Sequence, residues 1–449
     1  MAEVDDAGGS ASTGHAQGVR TPAFRRLWWS WTISLLGDGV RGLALPLYVI
    51  IETRSALATS AVAAAEVLPW LLCALPAGAV VDRSNPRLVV TIAHTFRAVA
   101  TGGLVACIVT DNAPLAVLCA FAFTLTVAET FAYSASQALM VSLAGPDELN
   151  EANAKFYTVH TIGLNLAGPL AAGALFALGP AWAFTLDGLT FVVAAILVSR
   201  LPSIAPAAHD PKRVRKLRGD VREGIQLLFR TRGLRILVLM IATSTLAISA
   251  VNTLTPFFAV QRLHMAPVFV STLLVAGALG SLLGAQLAAR VARQWPEGRV
   301  LVVSILVFAG GMIALGAFPF AVAALTANAL IGVGVGAFNV IAAARRQRLT
   351  PAAAMGRISG AYRMVAWGLM PLGAGLAGPL AVITSLSAVF VIAGALVLVA
   401  LTLLGRPLLR ANATVPAPRD GSTGQSVGPD DSNSQNRSAA PTRRPSAPA

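Results

Sequence analysis

The chain is short of what water-soluble proteins display on their surfaces. Charged residues fill 12% of its 449 positions, where a soluble domain carries about 25%. Lysine occurs three times, at Lys155, Lys212 and Lys216, and none of the three follows a G-x-x-x-x-G pattern. The phosphate-cradling loop of an ATP-driven pump is therefore not encoded. No HExxH occurs, the acids are dispersed, and no His/Asp set stands beside a nucleophile, so the sequence calls for no enzymatic activity, no metal and no cofactor. The three cysteines, Cys73, Cys107 and Cys119, lie in apolar stretches without paired spacing and read as small buried residues, not disulfide halves. Residues 1–20 are small, polar and partly acidic, with no short apolar run before a cleavage site, so the first apolar stretch is expected to stay in the mature protein. The alternating polarity of a membrane barrel is also missing.

What the chain has is apolar length. Hydrophobic residues make up 55% of it, and mean hydropathy is +0.70. A bilayer core needs about 20 apolar residues per spanning helix. Twelve stretches meet that length, at 28–51, 59–81, 88–110, 114–141, 153–178, 181–200, 234–260, 267–292, 300–318, 320–343, 356–382 and 385–405. Lysine and arginine collect in cytoplasmic loops. Alternate loops and the two termini together hold 29 of them, the remaining loops hold Arg54 and Arg262, and Arg41, Arg97 and Arg363 lie inside helices. The asymmetry predicts both termini in the cytoplasm and an even number of spans. The net charge of +14 is thus a topology signal, and its spread over separate loops argues against a nucleic-acid partner. Alanine-rich, arginine-rich, lysine-poor usage suggests a GC-rich bacterial genome and hence a bacterial plasma membrane.

The longest internal polar stretch lies between the sixth and seventh spans. The expected organisation is a disordered N-terminus over 1–24, a six-helix bundle over 25–200, a basic linker over 201–233, a second six-helix bundle over 234–406, and a disordered Pro/Ser/Asn/Arg tail over 407–449. Within the linker, Val214, Leu217, Val221, Ile225 and Leu228 fall on one helical face, away from Arg215, Lys216, Arg218 and Arg222. That pattern predicts a helix lying on the anionic lipid of the inner leaflet.

A shift of 205 residues lays "PDELNEANAKFYTVHTIGLNLAGPLAAG" (146–173) on "PAAAMGRISGAYRMVAWGLMPLGAGLAG" (351–378). Pro146 meets Pro351, Tyr157 meets Tyr362, Gly163 meets Gly368, Gly168 meets Gly373, and Gly173 meets Gly378. In each half the match covers the fifth span, the pattern of repeated six-helix halves. A second motif, "GAVVDRSNPR", follows span 2. It resembles the G-x-x-x-D-R-x-G-R-R motif of the major facilitator superfamily in the same loop. Gly78, Asp82, Arg83 and Arg87 match, Asn85 stands for the second glycine, and Pro86 replaces an arginine. Asparagine tolerates the left-handed backbone that such a glycine position needs.

In span 5, "LAGPLAAG" resembles the G-P-x-x-G-G motif of drug–proton antiporters, with Gly168, Pro169 and Gly173 matching, Ala172 departing and Gly163 one and a half turns earlier. "FRRLWWSWTISLLGDGVRGLALPL", "FTLDGLTFVVAAIL" and "DVREGIQLLFRTRGLRIL" resemble the enterobactin- and macrolide-exporter-like branch. The arginine usual in helix 4 of many antiporters is missing, and Glu129 stands in that helix instead. The resemblance covers about residues 24–405 and implies an all-α membrane fold, with twelve transmembrane helices as two pseudo-symmetric six-helix bundles around a central cavity. It implies a proton-coupled exporter of amphipathic small molecules such as antibiotics or siderophore-like metabolites, acting as a monomer. Uptake of a small metabolite, or a non-transporting sensor on the same fold, are the alternatives.

On this reading Gly78 lets helices approach, and Asp82 with Arg83 and Arg87 forms a charge lock at a cavity mouth. Intramembrane charges are costly and usually functional. Asp38, Arg41, Glu66, Arg97 and Glu129 are the candidates for proton coupling, with Asp38 and Arg41 on one helical face. Glu129 has no basic residue three or four positions away in its helix and is the expected proton carrier. Asp187 is expected nearer the outer surface in a structural role, and His94 and His160 near the inner boundary. Trp28, Trp29 and Trp31 are expected in an interfacial belt. Trp70, Tyr133, Asn252, Asn339, Tyr362 and Trp367 are candidates to line a substrate cavity.

Overall fold

The computed structural model describes residues 18–202, 223–350 and 354–410. Among them, twelve helices are long and apolar enough to span a bilayer. They are α1 (Pro22–Thr53), α2 (Ala56–Val81), α3 (Pro86–Val109), α4 (Leu115–Ala144), α5 (Leu149–Leu178), α6 (Pro180–Ser199), α7 (Arg232–Gln261), α8 (Pro267–Val291), α9 (Glu297–Ala317), α10 (Ala321–Leu349), α11 (Met355–Gly368 continued by Met370–Ile383) and α12 (Leu386–Arg410). Several outrun their apolar stretches. The last turn of α10, for instance, carries Arg346 and Arg348, because a helix that has cleared the hydrocarbon loses nothing by continuing into water.

Short links are made by caps. Thr21 accepts from Phe24 N at 3.2 Å ahead of Pro22, and Ser55 accepts from Ala58 N at 3.2 Å. Asn85 accepts from Arg87 N at 3.0 Å ahead of Pro86. Asn85 is extended, with φ −70° and ψ 114°. The expected left-handed backbone is absent, because this residue is a helix N-cap followed by proline at N1, a pairing suited to opening a helix.

The 205-residue repeat reappears as geometry. α5 widens into a π-helical segment at Gly163–Ala167, and α11 breaks at Leu369, one residue after Gly368. Proline follows in each case, Pro169 and Pro371, and removes a backbone donor that a continuous α-helix would use.

Beyond these breaks the two halves meet. A methyl on Gly173 of α5 would stand 2.8 Å from the Val268 carbonyl of α8, and one on Gly378 of α11 would stand 2.7 Å from Ser60 Oγ of α2. Both contacts lie near the loops 54–55 and 262–266. At the opposite end, which carries the 82–85 and 292–296 loops, the halves part. A methyl on Gly78 would meet nothing within 4 Å. The expectation that Gly78 brings helices together is not met, since its open face has no neighbour within reach.

Of the linker, 203–222 lies outside the described residues, as do 1–17 and the tail from 411. Helical backbone over 223–230 lies against α11, with Arg357 Nη1 donating to Glu223 Oε2 at 2.6 Å. Leu228 is fully buried and Ile225 packs on the core. These two members of the expected lipid-facing stripe therefore point into protein.

Candidate functional site

Arg41 is the hub of a buried charge cluster. Its Nη1 donates to Glu66 Oε1 at 2.7 Å, and its Nη2 to Glu129 Oε2 at 2.9 Å and Asp38 Oδ1 at 3.3 Å. Its Nε stands 3.9 Å from Asp187 Oδ2. Arg97 donates to both oxygens of Asp38, approaches Glu129 Oε2 at 3.5 Å, and lies with its guanidinium carbon 3.9 Å from the Phe191 ring centroid. Five helices (α1, α2, α3, α4 and α6) thus pool four carboxylates and two guanidiniums. Isolated charges in the bilayer interior are costly, and pooling them offsets part of that cost. Asp38, Arg41, Arg97 and Asp187 are buried, while Glu66 and Glu129 keep 23% and 20% exposure. The two glutamates are the members that keep exposed surface.

The backbone makes room for this. Asp38 and Arg41 lie one turn apart on α1, flanked by glycines. Gly39 admits α5, whose Gly163 and Gly168 abut it backbone to backbone. A methyl on Gly37 would stand 2.6 Å from Asp187 Oδ1, so that glycine leaves the space the carboxyl occupies.

Beside the cluster lies a cavity of about 430 Å³, lined by Trp31, Trp70, His94, Tyr133 and His160 together with Asp38, Arg97 and Glu129. Trp70 and Trp31 pack on Tyr133 with ring centroids 5.6 and 5.4 Å apart. The second half holds a cavity of about 790 Å³, lined by Ile248, Phe308, Phe338 and Trp367 with Asn339 and a few hydroxyls, and by no charged residue among the described ones. Of the expected lining residues, Trp70, Tyr133, Asn339 and Trp367 face these spaces. Asn252 is exposed without lining either space, and Tyr362 is buried beneath Arg346, whose guanidinium carbon is 4.2 Å from its ring.

Several expectations change. Glu129 lacks a cation in its own helix but is held across helices by Arg41. Asp187 belongs to the cluster. His94 and His160 line the charged cavity, where His94 stacks on Phe191 at 6.0 Å. His94 lies three residues before Arg97, and that shared face was the available signal. Trp31 is 94% buried and lines the cavity, whereas Trp29 is 48% exposed. Only Trp29 suits an interfacial belt well.

The loop motif is disengaged. Asp82 and Arg83 are exposed and form no ion pair among the described residues, while Arg87 donates to the Ser199 carbonyl at the end of α6. In the helix 5 motif Gly163, Gly168, Pro169 and Gly173 all serve packing: Pro169 is buried, and the glycines abut α1 and α8.

The sequence pattern of the Major Facilitator Superfamily matches residues 27–372. The chain is 27% identical over 364 residues to the multidrug efflux pump Tap of Mycolicibacterium fortuitum, covering 79% of this chain and 88% of that one. It is 22% identical over 294 residues to macrolide efflux protein A of Streptococcus pyogenes, covering 64% and 71%. Its fold is similar to the crystal structure of a bacterial homolog of the human lysosomal transporter Spinster in an inward-facing, unoccupied conformation. The TM-score there is 0.67 at 16% identity, covering 88% of this chain and 98% of that one.

Proposed function

The chain belongs to the Major Facilitator Superfamily, and from that premise we propose that it exports amphipathic small molecules, such as antibiotics or siderophore-like metabolites, in exchange for protons. It is a multi-pass plasma-membrane transporter and not an enzyme. Export is supported by relatives that are efflux proteins and by the helix 5 motif. A cavity of aromatic and acidic residues beside an uncharged apolar one supports an amphipathic cargo. A single chain supplies both cavities, which fits a monomer. The partition at 201–233 into two bundles is part of the proposal.

The loop asymmetry of 29 basic residues against two supports cytoplasmic termini, and the open end is then the cytoplasmic one. The conformation is the one that takes up cargo from the cell, with the Asp82 lock released. When the cavity faces outward, Asp82 pairs again and holds the inner mouth shut.

The observation that carries proton coupling is the sharing of Arg41 by Glu66 and Glu129, both of which keep exposed surface and the second of which lines the cavity. Arginine keeps its charge throughout. A carboxylate that shares one guanidinium with competitors can take up and release a proton as the cavity changes sides. Glu129 is the carrier. Arg41 and Asp38 read its charge and pass it to α1, while Arg97 holds Asp38. In proteoliposomes, Glu129→Gln should abolish uphill, proton-driven efflux yet retain substrate binding and downhill exchange, whereas Asp38→Asn should damage both. If Glu129→Gln still exchanges protons for substrate at the normal ratio, the carrier is another residue. If the wild type moves substrate without protons, the coupling itself is wrong.

A further inference from the structure

One acid of the cluster has no part in this scheme. Asp187 is 0% exposed, and neither of its carboxyl oxygens accepts a hydrogen bond among the described residues. α1 faces it with Asp38 and Arg41, α3 with Arg97 and His94, and α4 with Glu129, while Glu66 of α2 reaches it only through the shared Arg41. α5 carries no titratable side chain over 163–178. The nearest cation is the Arg41 Nε at 3.9 Å, and the other nitrogens of that guanidinium serve Glu66, Glu129 and Asp38. Arg97 is committed to Asp38 and to the Phe191 face.

Fully ionised, the cluster would set four carboxylates against two guanidiniums inside a membrane. An ionised carboxylate with no donor is the costliest group such a site can hold, whereas the neutral acid costs far less. The Arg41 Nε is itself without an acceptor. Two unsatisfied partners thus face each other slightly too far apart to hydrogen-bond.

We propose that Asp187 is a second proton-holding residue, protonated while Arg41 serves the two glutamates and ionised when Arg41 turns toward it. In that turn the Asp187 O–H bond breaks, the carboxylate pairs with the Arg41 Nε, and the proton passes to the glutamate that Arg41 has released. The cluster keeps its total charge, so the step adds no uncompensated charge to a low-dielectric site. Its role in transport rests on the proton-coupled reading above, but the protonation itself does not.

The test is infrared spectroscopy of the full chain in vesicles at neutral pH, without substrate or gradient. Carbon-13 labelling of aspartate alone shifts aspartyl carbonyl bands and leaves glutamyl bands in place. The wild type should show a protonated aspartyl band that Asp187→Asn removes. In Glu66→Gln/Glu129→Gln, where Arg41 has lost its two glutamate partners, that band should vanish although Asp187 is present. This second comparison stands even if Asp187→Asn fails to fold. Absence of the band in the wild type, or its survival in the double variant, overturns the proposal. Failure of proton-coupled transport with the band behaving as described would overturn only the coupling.

Discussion

Glu66 lies ten residues after the start of α2 at Ala56, and Gly277 lies ten residues after the start of α8 at Pro267. The two helices hold equivalent places in their halves, and the difference runs through everything around them. In the first half α2 and α4 are joined through Glu66 and Glu129, both bound to Arg41. In the second half the corresponding pair, α8 and α10, interlocks by small residues. A methyl on Gly332 or Gly336 would collide with the carbonyl of Gly277 or Ser281, and one on Gly280 or Gly284 with that of Ala329 or Val333. Lipid gives no hydrophobic drive to helix association, so close backbone packing and polar contacts are the two means available. The two helix pairs differ in which they add, charge beside α2 and α4 and backbone interlock between α8 and α10. An ionic joint changes strength when a proton binds, and an interlocked backbone does not. The α2–α4 joint can therefore respond to protonation, and the α8–α10 joint cannot.

Removing the ionic hub should give the largest effect. Arg41→Leu strands several carboxylates in the bilayer interior and should cost about 3–5 kcal/mol, read as a lower midpoint of thermal unfolding in detergent, together with loss of coupled efflux. An unchanged midpoint would mean that the first half is not held by its charges. Next comes Gly336→Leu, which forces α8 from α10 and should cost about 2–3 kcal/mol. Measured at pH 5.5 and pH 8, that loss should be equal, because no titrating group lies at the interface. A pH-dependent loss would blur the distinction between the halves. Asp82→Asn should leave the amount of folded protein unchanged and slow transport about tenfold by biasing the balance of states, and normal transport would remove the lock. The smallest change is Ser249→Ala, which deletes the 2.8 Å hydrogen bond to the Met370 carbonyl beside the α11 break. It should cost about 1 kcal/mol and leave proton stoichiometry intact.

The helix count and the two halves were legible because hydropathy is a local property, and the repeat paired Gly163 with Gly368 without saying that a helix breaks beside each. The site was legible only in its membership. Asp38, Arg41, Glu66, Arg97 and Glu129 stood out as charges where charge is costly. Their pairing was not readable, because a helix reveals its own neighbours at three and four residues and says nothing about the helix opposite. Glu129 therefore looked solitary. Asp187 and His94 were assigned by depth along their helices, when the face they share with the cluster decided their surroundings. Gly78 shows the converse, since a glycine in a motif does not say whether another helix comes close to it.

The π-helical segment of α5 has one more consequence. A π-turn is an α-helix with one residue inserted, and the helical faces before and after it keep their directions because the surplus residue is looped out. Cutting one residue from Gly163–Ala167 would return the regular α-helical repeat, short only of the donor that Pro169 lacks, without turning Phe156 away from α1 or Gly173 away from α8. Elsewhere in α5 a single deletion would swing everything beyond it by about 100°. At this one place length can be traded for stiffness, so the joint can be welded without rebuilding the parts it connects.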